Sequence, residues 1–193
     1  MATRREVVRA PFAKASGARA LAACSFVLLW CGGAEAAGIV DLVPLVRKHA
    51  IRVSFAMRDA FSPDVEQAVA SGLQVNFDYE VQLKKVRTLW LNQKLVSRRI
   101  RTTVVYDNLT KRHKLTREID GQIVATEVVS DPEVMRRFMT RFENLELFDV
   151  ALLEPNSEYY LRVKGVVKER NFFLFIPWDF GSGWTKSYFT YIP

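Results

Sequence analysis

The chain has 193 residues, of which 49% are hydrophobic and 25% are charged, with a formal net charge of +7. This length and apolar content suffice for one domain with a buried core. Both cysteines and three of the net positive charges lie in the first 36 residues, and the whole chain has two histidines. The sequence therefore predicts no thiol chemistry, no cofactor and no metal site in the remainder.

The first 36 residues have the layout of a secretory signal peptide. A basic region precedes an apolar run from Ala20 to Cys31, and Ala34-Glu35-Ala36 supplies the small residues that signal peptidase reads. We expect cleavage after Ala36 and a single mature domain spanning 37–193, periplasmic or secreted. The apolar run is shorter than the roughly 20 residues that span a bilayer. An uncleaved segment anchored in the inner membrane is the alternative.

Two strands are predicted at the start of the mature domain. The apolar stretch from Ile39 to Val46 contains Pro44, which lacks a backbone N–H and limits this segment to the edge of a sheet. Residues 51–57 alternate between apolar and more polar side chains, which is typical of a strand with one buried face. The two segments are expected to pair as a hairpin.

A short helix follows, with both ends marked in the sequence. Ser62 suits the N-cap position, and Pro63 suits the first helical position because its missing N–H is not needed there. Gly72 suits the left-handed residue beyond the C-terminus. So short a helix needs to pack its apolar face on a sheet.

The central stretch from Leu73 to Thr126 predicts an antiparallel meander. Apolar and polar residues alternate strictly from Leu73 to Gln82, which indicates a half-buried strand. Further apolar segments follow, including Leu89 to Leu91, and Asp120-Gly121 lies between two of them as a strong hairpin signal. We expect this meander to be the framework that the other segments cover.

A second helix is predicted from Ser130. Ser130 as N-cap and Glu133 three residues later form a capping box, with Pro132 in the first turn. Apolar residues at helical spacing continue as far as Leu145. The expected helix therefore runs through Phe142, with an apolar stripe facing the sheet.

The end of the chain contains one more strand and an aromatic segment. Residues from Tyr159 to Val167 alternate between apolar and basic side chains, and aromatics are dense between residues 172 and 191. Strands that fill the core are the favoured interpretation. A groove or an exposed apolar patch is the alternative. The candidate patch residues are Trp178, Phe180, Trp184 and Tyr188.

These segments predict an α+β fold. We expect an antiparallel, twisted sheet of six to eight strands, folded into a sandwich-like form, with two helices. The expected order is two strands, a helix, the meander, a second helix and two closing strands. An all-β sandwich with incidental helices is the alternative.

Three segments carry a resemblance to a known family. They are Arg87-Thr88-Leu89-Trp90, the stretch from Tyr106 to Arg112, and the stretch from Trp184 to Phe189. In this order and spacing they resemble exported proteobacterial proteins catalogued as domain of unknown function 4390. The family has no assigned activity, so the resemblance implies no catalytic residue. It implies an envelope protein with a signal peptide. It also implies a link to a membrane sensor kinase of the nitrogen-regulation type, because the genes of the family look to be often neighbours of the gene for such a kinase.

The residues usual in catalysis are sparse. His49 and His113 both lie among cations, which disfavours both a protonated imidazole and a bound metal ion. Glu143, Glu146 and Asp149 are expected on the polar face of the second helix, where carboxylates are usually solvated. We therefore expect no catalytic residue and no enzyme, with a hydrolase as a distant alternative.

Charge is the most informative feature of the meander. Eleven basic residues and one acidic residue lie between Lys84 and Arg117. Strand alternation is expected to gather several of them on one solvent-exposed face. That face is either a solvated surface that resists aggregation or a surface that binds anions or a partner. The candidates are Lys84, Lys85, Arg87, Arg98, Arg99, Arg101, Lys111 and Arg112.

Two functions from different classes follow from these features. The first is a non-catalytic envelope protein that binds a membrane sensor protein or an anionic lipid surface through the basic meander. The second is a periplasmic carrier or sensor of an amphipathic lipid, held in a cavity lined by the aromatic strands. Export argues against a nucleic-acid partner.

Overall fold

The computed structural model describes residues 37–87, 92–169 and 180–193. The predictions made for residues 1–36, for Leu89 to Leu91 and for Trp178 lie outside these ranges. The described residues form ten strands and two α-helices. In chain order they are β1 Gly38–Arg47, β2 Ala50–Arg58, α1 Pro63–Ala70, β3 Val75–Lys85, β4 Gln93–Asp107, β5 Arg112–Ile119, β6 Gln122–Val129, α2 Pro132–Thr140, β7 Arg141–Asp149, β8 Ser157–Glu169, β9 Phe180–Gly181 and β10 Thr185–Tyr191.

The smaller of two antiparallel sheets has the order β1-β2-β7. Pro44 lies in β1 at the edge of this sheet, as predicted, and pairs with Val53 of the central strand. The register of β1 shifts between Val40 and Val43, where Asp41 has a φ of 55°. A bulge of this kind bends an edge strand and discourages further pairing.

The larger sheet has the order β10-β8-β3-β4-β5-β6, and β9 pairs with β8. The meander forms β3 to β6 of this sheet, and β8 pairs with the open side of β3. Asp120 and Gly121 join β5 to β6 with φ values of 50° and 85°. Positive φ at both central residues is the geometry of the hairpin turn that Asp-Gly favours, which confirms that prediction.

The two sheets enclose one hydrophobic core. Phe55 of the small sheet meets Tyr79 of the large sheet edge-on, with ring centroids 5.5 Å apart. Phe142 stacks on Phe55 at 4.5 Å and meets Tyr79 edge-on at 4.9 Å. The α+β prediction with a sandwich-like layering is confirmed. The strands are more numerous than the six to eight expected, because the small sheet gains β7 and β9 is a short addition.

The first helix forms where the sequence predicts it. Ser62 is the N-cap, its side-chain oxygen accepts from the backbone N–H of Val65 at 3.3 Å, and Pro63 opens α1. Gly72 follows the C-terminus with a φ of 79°. The buried residues Val65, Ala68 and Val69 face the core. None of the described helices is long and apolar enough to cross a membrane.

The second helix is shorter than predicted. Its N-cap is Asp131, not Ser130, and the Asp131 carboxylate accepts from the N–H of Glu133 at 2.8 Å. The helix ends at Thr140, and Phe142 belongs to β7, where it lies opposite Phe55. The unpaired edge of β2 and the aromatic contact with Phe55 outweigh the helical periodicity of the apolar residues. The apolar residues that the sequence placed on one helical stripe are therefore divided between α2 and β7.

Candidate functional site

The outer face of the large sheet, opposite the core, is rich in basic side chains. Cross-strand register places Lys164, Glu80 and Arg99 side by side, and likewise Arg162 beside Gln82 and Lys186. Among the described residues of β10, β8, β3, β4 and β5, ten basic and five acidic side chains lie on this surface, which we call the basic face. The basic ones are Lys84, Lys94, Arg99, Arg101, Arg112, Lys114, Arg162, Lys164, Lys168 and Lys186, and the acidic ones are Asp78, Glu80, Asp107, Glu118 and Glu158.

The structure brings together only part of the set predicted from the sequence. Four members lie on the basic face, namely Lys84, Arg99, Arg101 and Arg112. Lys85 points to the other side of β3 and pairs with Glu154 at 2.5 Å. Arg98 likewise lies on the inner side of β4, where it donates to the carbonyl of Leu147 at 3.1 Å and pairs with Asp120 at 2.8 Å. Arg87 and Lys111 lie in connecting segments.

Sequence reasoning missed the contribution of β8 and β10. Arg162, Lys164 and Lys168 alternate with buried residues of β8, a pattern visible in the sequence. What the sequence did not show is that β8 pairs with β3, which sets these cations beside those of the meander. Strand order between segments about 80 residues apart depends on tertiary packing, and no local signal specifies it.

The centre of the basic face is neutralised by internal ion pairs. Arg101 binds Asp78 through two hydrogen bonds of 2.6 and 3.1 Å, and Lys168 approaches the same carboxylate at 3.5 Å. Burial alone would raise the pKa of Asp78, but these cations outweigh it and lower the pKa. Glu80 pairs with Lys164 at 3.2 Å, and its pKa is lowered against burial by hydrogen bonds from Gln82 and Lys164. These central charges therefore offer little to an external anion.

One end of the face is different, because like charges lie directly opposite each other. Lys84 pairs across strands with Lys94, and Arg162 with Lys186. None of these four residues forms an ion pair with a described carboxylate. Directly opposed like charges destabilise a sheet. We call these four residues the basic corner.

Aromatic side chains border the basic corner. The guanidinium of Arg162 lies 4.0 Å from the ring centroid of Trp184, and the ammonium of Lys164 lies 4.9 Å from it. Tyr188 is 57% exposed and packs on Tyr160 with centroids 5.2 Å apart. Trp184 and Tyr188 of the candidate patch are thus placed beside cations. Trp178 lies outside the described residues, and Phe180 pairs with Val167 through its backbone.

The remaining aromatics of β10 turn inward. Phe189 stacks on Tyr159 at 5.8 Å, and both Phe189 and Tyr191 pack against the core. Among the described residues, β10 thus presents alternate aromatic side chains to the core and to the basic face.

The carboxylates predicted on the second helix are on β7 instead. Glu143 pairs with Arg141 at 2.8 Å, and Glu146 with Arg52 at 3.5 Å. Asp149 accepts from the N–H of Ala151 at 2.8 Å. All three are exposed and serve local contacts. Within the described ranges, no three His, Cys, Asp or Glu side chains are grouped as metal ligands would be.

A groove lies between the two helices, on the side of the large sheet opposite the basic face. It encloses about 360 Å³ and has Tyr106 and His113 at its base on the inner side of the large sheet. His113 is 9% exposed, and its ring packs 4.7 Å from that of Tyr106. Its Nδ1 is buried and has no hydrogen-bond partner among the described residues. Burial lowers the pKa of His113, and the neighbouring backbone of Val129 opposes this shift only in part.

We expect His113 to titrate below its ordinary pKa of about 6.5. Because the unfolded chain then binds the proton more readily, the free energy of unfolding should fall as the pH drops below about 6.5. Proton NMR of the two histidine rings, assigned with His49→Gln, measures the titration. Chemical denaturation at several pH values should give a shallower decline between about pH 6.5 and 5 for His113→Gln than for the wild type. Equal declines of the free energy of unfolding in the two proteins would show that protonation of His113 does not destabilise the fold.

The fold and the site together define a two-layer α+β protein with one strongly basic sheet face. The chain belongs to the family described as Domain of unknown function (DUF4390), whose model matches residues 34–187. This confirms the family resemblance inferred from the sequence. No curated protein and no solved structure matches the chain.

Proposed function

We propose that this protein is a non-catalytic binding module of the cell envelope that docks an anionic, membrane-associated partner through its basic face. The observation that carries the proposal is the basic corner. Opposed cations cost stability in the free protein, and an anion lying across Lys84, Lys94, Arg162 and Lys186 would offset that cost. A solvated face would need no such arrangement.

The aromatic border supports a membrane-associated partner. Trp and Tyr side chains are favoured at the boundary between lipid headgroups and hydrocarbon because each ring has an apolar body and a polar edge. Trp184 and Tyr188 lie beside basic corner residues, and Ile192 nearby in the sequence is 75% exposed. Basic side chains next to such rings favour an anionic membrane surface.

The proposal includes export by the N-terminal segment, which has the layout of a signal peptide. The partner is then either the anionic lipid surface itself or the extracytoplasmic part of a membrane sensor, which the family resemblance suggests. In either case the basic face would meet negative charge near the membrane. A vesicle experiment separates them.

The test is reversal of the basic corner. The variant Lys84→Glu, Lys94→Glu, Arg162→Glu and Lys186→Glu should lose at least about 10-fold of its affinity for phosphatidylglycerol-rich vesicles, because each cation near an anionic surface contributes about 1 kcal/mol. Co-sedimentation at low and high salt measures it, and the wild-type affinity should fall as salt rises. The matched control reverses four exposed cations elsewhere, Arg47, Lys48, Arg58 and Arg137. It changes the net charge equally and should bind nearly as the wild type does.

Native membranes provide the second arm. Capture by vesicles of purified anionic lipid indicates a lipid partner. Capture only by native membranes, lost after protease treatment of those membranes, indicates a protein partner. Absence of capture in both arms, or equal loss in the two quadruple variants, would end the proposal.

A further inference from the structure

The groove between α1 and α2 has the features of a ligand site that is separate from the basic face. It opens on the inner side of the large sheet, whereas the basic face is the outer side. Its volume of about 360 Å³ lies at the lower end of the range of small-molecule sites, roughly 300–1,000 Å³. The helices are bridged across it by the ion pair of Arg136 with Glu66 at 2.8 Å.

The walls of the groove are apolar and its rim is cationic. Phe61, Val69 and Met135 supply the apolar surface, and Lys111 and Arg136 supply the positive charge. Glu66 is the acidic residue that lines it, and Arg136 already neutralises it. Lys111 is exposed and forms no ion pair with a described residue. An elongated apolar molecule with one negative end matches this distribution.

One buried polar atom of the groove lining, Nδ1 of His113, has no hydrogen-bond partner among the described residues. Nε of Arg136 also makes no hydrogen bond, but it lies 3.6 Å from Oε1 of Glu133, so this guanidinium already pairs with Glu66 and Glu133. A hydroxyl group can donate to Nδ1 of His113 or accept from it, so it would satisfy either tautomer of the ring. Unsatisfied buried polar atoms cost free energy, and native structures rarely keep them without a role.

We propose that the groove binds a medium-chain carboxylate that also carries a hydroxyl group. The hydrocarbon chain packs on Phe61, Val69 and Met135, and the carboxylate is bound by Lys111. The hydroxyl forms a hydrogen bond with Nδ1 of His113. This assignment uses the cation of the groove that has no ion pair with a described residue and the nitrogen that has no hydrogen bond, and it does not depend on the function of the basic face.

The chemistry of the probe tests each contact. Isothermal titration of the purified protein with 3-hydroxydecanoate should show saturable binding. Decanoate lacks the hydroxyl and should bind about 10-fold more weakly, because Nδ1 of His113 would stay unsatisfied. Decanol lacks the carboxylate and should bind more weakly still. The NMR signals of the His113 ring should shift with 3-hydroxydecanoate.

Variants locate the site. Lys111→Glu should weaken binding at least about 10-fold through loss of a charge-assisted contact. Lys48→Glu makes the same charge change at an exposed lysine that does not line the groove and should change affinity less than about 2-fold. Ala70→Trp, at an exposed position that lines the groove, should block it without opening the core. Thermal unfolding of each variant confirms that it is folded.

Three results would overturn the proposal. The first is no saturable binding of 3-hydroxydecanoate by the folded wild type. The second is equal affinity for 3-hydroxydecanoate and decanoate, which would remove the role of His113. The third is binding that survives Ala70→Trp or responds equally to Lys111→Glu and Lys48→Glu.

Discussion

Replacing Gly165 with valine is expected to lower the free energy of unfolding by about 3 kcal/mol or more. Gly165 lies on the core side of β8, opposite Tyr79. A Cβ atom there would lie 2.9 Å from the sulfur of Met57 and 3.1 Å from Cε1 of Tyr79. Glycine at this position therefore lets the two sheets approach, and a larger side chain would force them apart.

The Tyr79 ring has little freedom to move aside. It is fully buried between Phe55 and Phe142, and its hydroxyl donates to the carbonyl of Met139 at 2.8 Å. Close-packed interiors transmit such strain to their neighbours. The cost of a clash at Gly165 should therefore include disturbance of the aromatic cluster.

Urea denaturation followed by circular dichroism measures the effect. Gly165→Ala should be intermediate, at about 1–3 kcal/mol. Gly183→Ala is the matched control, because nothing lies within 4 Å of a Cβ added there, and it should change stability by less than about 0.5 kcal/mol. A Gly165→Val protein as stable as the control would show that the close approach of the two sheets does not require glycine at this position.

Replacing Arg117 with alanine should also destabilise the protein, by about 2–4 kcal/mol. Arg117 points inward from β5, and its guanidinium lies 4.4 Å from the ring centroid of Phe138 and 4.6 Å from that of Phe142. It donates to the carbonyl of Phe138 at 2.5 Å. Burial lowers the pKa of Arg117, and the carboxylate of Glu127 acts in the opposite direction. The two rings and the Phe138 carbonyl also favour the charged guanidinium.

The contacts of Arg117 anchor the end of α2. The last carbonyls of a helix have no partner within the helix. Here Arg117 satisfies that of Phe138, while Tyr79 and Thr102 both donate to that of Met139, at 2.8 and 3.1 Å. Loss of Arg117 should therefore loosen α2 before it loosens the sheets.

Hydrogen exchange tests this order of events. In Arg117→Ala, amide protection should decrease more in α2 than in β3 or β8. Arg99→Ala removes an exposed arginine of the basic face and should leave both protection and stability nearly unchanged, within about 0.5 kcal/mol. Uniform loss of protection across the protein would contradict a local anchoring role.

Local signals predicted the elements whose ends are chemically marked. Ser62, Pro63 and Gly72 define α1 correctly, and Asp120-Gly121 gives the β5–β6 turn. The error at α2 has a physical cause. Phe142 satisfies a helical spacing, but its packing on Phe55 decides the outcome, and that contact joins segments far apart in sequence.

The same distinction applies to the site. Alternation in the meander placed Lys84, Arg99 and Arg101 on one face correctly, since a period of two is a local property. Lys85 and Arg98 were wrongly included in the predicted surface. The candidates were chosen because they lie close together in sequence, without regard to which side of its strand each residue faces. Arg162 and Lys186 required the β8–β3 and β10–β8 pairings, which depend on the complete fold. The groove depends in the same way on the positions of two helices.

The position of β8 between β10 and β3 also governs the order in which the molecule can assemble. Residues 75–129 can form four strands as soon as they are free to fold, but β3 then keeps one side unpaired until Ser157–Glu169 is also available. Pairings so distant in sequence form slowly. Until residues 157–169 are available, the incomplete protein exposes a strand edge that other chains can join. Premature termination before residue 157 would therefore yield fragments prone to aggregation, with β3 as the point of contact.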